Sequence, residues 1–147
     1  MHDSDIIHLA THGAADGVYL SGTSKSDGKL TMAEVHGFSL NRCRLVVLSE
    51  CDSFQGELRT DGVVGITRAF AAAGAMTTLA SLWKVDDAAT CVLMERFYES
   101  CREPSSHAAS ALQHAMCSMI RERKWSILQW SGFVAYGSMV SVPLHAT

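Results

Sequence analysis

The sequence contains no apolar run approaching the ~18 residues of a membrane span. Its opening residues, Met1 to Ile7, carry Asp3 and Asp5 where a signal peptide would carry basic residues and then an apolar stretch, so neither a span nor a leader is expected. Cysteine occurs five times, at Cys43, Cys51, Cys91, Cys101 and Cys117, an odd total with no CxxC pair, which disfavours a disulfide framework or a zinc ribbon. A reducing, cytoplasmic compartment is the expectation. There is no block of five like charges, and 12 Lys and Arg against 15 Asp and Glu give a net charge of -3. No electrostatic footprint for DNA or RNA results, so neither nucleic acid nor membrane is an expected partner. Neither a GxGxxG stretch nor a GxxxxGKS or GxxxxGKT loop is present, which argues against a nucleotide-binding domain. No repeat, low-complexity segment or proline-rich linker divides the chain, and residues 1–147 read as one unit.

What is present alternates between strand and helix patterns. Ile6 to Thr11 is short and apolar and is stopped by His12 and Gly13. Val18 to Ser21 reads as a short strand and Thr23 to Lys29 as a turn. Thr31 followed by Glu34 has the capping-box spacing, predicting a short helix from Met32 to Gly37. Cys43 to Ser49 is the strongest strand signal, its continuous apolar centre suiting a strand covered on both faces. Asp52 to Asp61 reads as a loop, Val63 to Ala73 as a helix ended by Gly74, and Met76 to Leu82 as a further buried strand. Asp86 and Asp87 cap a helix over Ala88 to Cys101, a second long helix covers Ser106 to Arg123, and Phe133 to Val142 is a last strand. The alternation predicts an α/β fold, a mainly parallel sheet flanked by helices on both faces. Ile6 to Thr11 has interior character although little precedes it, which suggests the C-terminal part of a larger domain.

In an open parallel sheet, reactive groups gather beyond the carboxyl ends of strands. His12 follows the first strand and Cys51 follows Cys43 to Ser49, so neighbouring strands would bring them to one edge as a Cys/His dyad. The thiolate is the nucleophile, and a nearby imidazolium lowers its pKa and later donates a proton to the leaving group. Gly13 admits close approach of a substrate backbone and offers an N–H to an oxyanion. Ser49, two residues before Cys51, shares its strand face and is a pocket candidate. Asp52 and Asp61 are candidates for a basic substrate side chain, and Trp83 for the border of a cleft or a lid on the core. His8 and His12 would lie about 13 Å apart on a strand, too far for one metal ion, so His8 reads as a packed sheet residue and no metal is expected. Cys43, Cys91, Cys101 and Cys117 read as packing residues.

The run Ile-Ile-His-Leu-Ala-Thr-His-Gly at 6–13 and Leu-Val-Val-Leu-Ser-Glu-Cys-Asp-Ser at 45–53 resembles the CHAT family, caspase-like modules of the clan of caspases and separases. The likeness continues through Asp61-Gly62, Gly65 to Ala73, Gly74-Ala75, Ser81-Leu82-Trp83, Asp86-Asp87, Phe97-Tyr98, Ala111-Leu112 and Trp130 to Gly137, in family order over nearly the whole chain. Most similar is the C-terminal module of large animal tetratricopeptide-repeat proteins. The resemblance implies a caspase-like fold, His12 as general acid/base, Cys51 as nucleophile, and the N–H groups of Gly13 and Cys51 facing the oxyanion. It implies cleavage of a protein or peptide substrate with no cofactor, or docking of a scaffold partner. One departure stands out. Glu50 occupies a position where family members usually carry a small residue, and its carboxylate opposes thiolate formation by like-charge repulsion unless it points to the other side of the strand. The resemblance also implies that a complete caspase-like module would have further strands and helices before Ile6.

Overall fold

The computed structural model describes residues 4–14, 17–22, 27–49, 60–138 and 141–142, with the backbone alone at 12–14 and 60–64. Its centre is a four-stranded sheet in the order β1 (Ile6–Leu9), β5 (Leu45–Leu48), β6 (Thr77–Ser81), β7 (Phe133–Gly137). The pairs β1/β5 and β5/β6 are parallel, with Leu9 opposite Leu48 and Leu48 opposite Ala80, while β7 runs antiparallel to β6. The mainly parallel α/β architecture expected from the sequence is therefore the one observed, and it is consistent with part of a caspase-like fold.

The alternation of side chains along each strand feeds two apolar layers. On one face Ile7, Leu9, Val46, Leu48 and Ala80 join a cluster with Val35 of α1 (Met32–His36) and Ile66, Ala69 and Phe70 of α2 (Thr60–Ala72). On the other, Leu45, Val47 and Leu79 meet Leu93 and Phe97 of α3 (Asp87–Ser100) and Leu112 and Met119 of α4 (Ala108–Glu122). Burial of each such Leu or Phe stabilises the fold by roughly 1.5–3 kcal/mol before entropy is counted. The helix starts follow local chemistry. Thr31 and Glu34 form the reciprocal capping box, and the Asp86 carboxylate accepts from Ala89 N–H at 2.9 Å. Gly74, with φ +106°, makes the turn from α2 into β6, where a Cβ would lie 2.5 Å from Asn41 Oδ1.

Three expectations need correction. The first strand stops at Leu9, and His12–Ala14 forms β2 of a separate antiparallel sheet with β3 (Gly17–Tyr19) and β4 (Lys29–Thr31), His12 opposite Tyr19 and Gly17 opposite Thr31. Backbone pairing within this small sheet takes over where the parallel ladder ends, and the end of the expected Thr23 to Lys29 turn belongs to β4. The last strand ends at Gly137, and Ser141 instead forms an isolated bridge with His107. The segment between α4 and β7 contains a four-residue helix, α5 (Ile127–Trp130), that the hydrophobic pattern does not predict.

Candidate functional site at the carboxyl ends of β1 and β5

Because β1 and β5 are parallel neighbours in register, the chain leaves both strands at the same edge of the sheet. His12 follows Leu9 by three residues and Cys51 follows Leu48 by three. The side chains of His12 and Asp61, and Glu50, Cys51 and Asp52 altogether, lie outside the described residues, as does most of the expected loop from Asp52 to Asp61; Gly13 is described as backbone in β2.

The described part of this edge opens into a cleft of ≈ 970 Å³ between the ends of β1 and β5 and helix α3, lined by His8, Ala10, Ser49, Thr90, Met94 and Tyr98 among others. His8 alternates with Ile7 and Leu9 and so faces away from their cluster, toward α3. Its Nε2 lies 2.9 Å from Ser49 Oγ and its Nδ1 3.0 Å from the Tyr98 hydroxyl. A neutral imidazole donates through one nitrogen and accepts through the other, and the hydroxyls at both ends can reverse their roles, so the chain is satisfied in either tautomer. Partial burial lowers the His8 pKa from the usual 6.5. Burial also raises the Tyr98 phenol to about 12, with the Cys101 thiol adding to the effect, so the hydroxyl stays protonated. Tyr98 is anchored by an edge-on contact with the fully buried Phe97, ring centroids 5.2 Å apart.

Ser49 is buried and doubly tied to β1, through its side chain to His8 and through its backbone N–H to the Leu9 carbonyl at 3.1 Å. Trp83 follows β6 at the same sheet edge. Its indole N–H donates to the Leu128 carbonyl at 2.9 Å and its ring packs on the core beneath α3 and α4, and it does not line the cleft. Burial pushes the Cys43 thiol up and the Cys101 thiol up to about 11, as befits packing residues. Among the described residues no cluster of His, Cys, Asp and Glu could hold a metal ion, and no described helix is long and apolar enough to cross a membrane.

The sequence pattern brings Ser49 to this edge but reads His8 as simple packing, and it misses Tyr98. The alternation of His8 with Ile7 and Leu9 carries the signal for His8. Nothing in the spacing signals a partner 90 residues away.

A mainly parallel α/β sheet whose polar side chains converge at the carboxyl ends of adjacent strands defines the class. The family description of the CHAT domain matches residues 1–138, and the chain belongs to that family. It is 37% identical over 114 residues to human tetratricopeptide repeat protein 28 and 36% identical over 114 residues to the mouse protein of that name. Each match covers 77% of this chain but only 4% of the human protein and 5% of the mouse protein, so the chain spans a small fraction of the relatives' length.

Proposed function

We propose that this CHAT domain is a cysteine-peptidase-like module that hydrolyses a peptide bond through Cys51 and His12. The observation that carries the reading is the parallel pairing of β1 with β5, whose exits lead within three residues to the two reactive side chains. In the reaction, His12 and Cys51 form the thiolate and imidazolium, and the thiolate attacks the scissile carbonyl. The N–H groups of Gly13 and Cys51 meet the oxyanion. Collapse of the tetrahedral intermediate breaks the C–N bond as His12 protonates the departing amine. Water, deprotonated by His12, then hydrolyses the thioester and frees the enzyme. Asp52 and Asp61 are the groups suited to a basic substrate side chain, and Ser49 to lining the site. We place the module in the cytoplasm, as the C-terminal part of a larger caspase-like domain.

Glu50 favours a second reading, a catalytically silent module that docks a protein partner within a tetratricopeptide-repeat scaffold, in keeping with the names of the relatives. The two readings separate on the rate at which iodoacetamide alkylates Cys51, resolved by peptide mass spectrometry between about pH 4 and 10. The peptidase reading expects a midpoint well below the free-thiol value of ~8.5 that rises in His12→Ala. A midpoint at or above that value, unmoved by the substitution, overturns the peptidase reading in favour of the docking module.

A further inference from the structure

The hydrogen-bonded chain at the rim of the cleft joins three elements, two of which lead to the side chains of the proposed reaction. Tyr98 comes from α3, His8 from β1, and Ser49 from the exit of β5, with contacts of 3.0 and 2.9 Å. On the far side of His8 the same strand ends at Leu9, three residues short of His12, and beyond Ser49 the chain reaches Cys51 in two residues. The β1/β5 ladder and the backbone bond from Ser49 N–H to Leu9 O hold the two strand ends side by side. The side-chain chain extends that hold past the end of the ladder and ties it to α3.

We propose that Tyr98, His8 and Ser49 form a positioning device for the dyad, clamping the exit of β5 against the strand that leads to His12 so that thiol and imidazole meet. The inference rests on the reading of Cys51 as nucleophile. His8 is a positioning residue in this scheme and takes no proton from the substrate. Its role needs one donor and one acceptor held about a ring apart, which a Gln amide also supplies. A dyad whose partners shift by about 1 Å loses much of its rate, because imidazolium stabilisation of the thiolate depends on contact.

The test uses the whole chain and the same site-resolved alkylation by iodoacetamide, with the half-exposed Cys117 on α4, outside the cleft, as internal reference and the thermal midpoint recorded for each variant. His8→Ala and Ser49→Ala are expected to slow Cys51 alkylation at pH 7 by about tenfold and to raise its midpoint by about one unit, leaving Cys117 unchanged. His8→Gln is expected to keep the rate near that of the unsubstituted protein, which a role in packing alone would not require. Should His8→Ala fail to fold, the smaller change Ser49→Ala decides alone. A Cys51 midpoint that is depressed and His12-dependent in the unsubstituted protein, yet unmoved in Ser49→Ala and His8→Ala, overturns the positioning device and leaves the dyad standing. A midpoint that is not depressed in the unsubstituted protein overturns the dyad and the device together.

Discussion

Strands β6 and β7 are neighbours in one sheet, and their sequences suggest the reverse of their surroundings. β6 reads Thr-Thr-Leu-Ala-Ser and every residue is buried; β7 reads Phe-Val-Ala-Tyr-Gly and only Phe133 is. The more apolar strand is the more exposed, with Val134 at 37% and Tyr136 at 50%. Position in the sheet is the cause. β6 has a strand on each side, α2 on one face and the α3/α4 layer on the other, whereas β7 closes the described sheet at its edge and meets α4. Burial of this kind leaves the hydroxyls of β6 dependent on partners within the protein. Thr77 Oγ1 donates to the Ser138 carbonyl at 2.6 Å, but Thr78 Oγ1 is buried without a partner among the described residues.

The contrast should be largest for truncation of an apolar side chain. Leu79→Ala on β6 removes a fully buried side chain from the α3/α4 layer and is expected to cost about 2–5 kcal/mol in chemical denaturation. Val134→Ala on β7 is expected to cost well under half as much. Equal losses at the two positions would break the comparison.

A smaller effect of opposite sign sharpens it. In Thr78→Val the unpartnered hydroxyl gives way to a methyl group in the same space, removing a desolvation penalty with no hydrogen bond lost. A gain of about 1 kcal/mol is expected. A loss in the same denaturation measurement would mean that Thr78 has a polar partner in the folded protein.

These two strands also show what the sequence can and cannot disclose. The central strands and the helices α1 and α3 are legible because each carries a local signal of its own: the unbroken Leu45–Leu48 run, the Thr31/Glu34 box, the Asp86 cap. The antiparallel sheet is legible only in the strand read at Val18 to Ser21, which overlaps β3; β2 and β4 have three residues each, too few for any period to register. α5 is equally short, and its one readable mark is Ser126 followed by Gln129, whose side chain accepts from Ser126 N–H at 2.9 Å. At the candidate site, Ser49 follows from strand parity. The His8–Tyr98 contact depends on how α3 lies across the sheet, a long-range result of packing that leaves no trace in local spacing.

The smallest effect belongs to the exposed face of β7. Tyr136 stands opposite Thr78 in the ladder and is half exposed, so replacing it removes little apolar area from a packed environment. Tyr136→Lys is expected to change stability by no more than about 0.5 kcal/mol, the range for surface substitutions away from special features. It should also act on association. A neutral, apolar edge strand offers its unpaired backbone to other chains, and a lysine there opposes such pairing. Light scattering of a concentrated solution on slow warming is therefore expected to rise later in Tyr136→Lys than in the unsubstituted protein, at an unchanged unfolding midpoint. A midpoint lowered by several degrees would show instead that Tyr136 is as firmly packed as its partner on β6, and the distinction between the two strands would reduce to Leu79 alone.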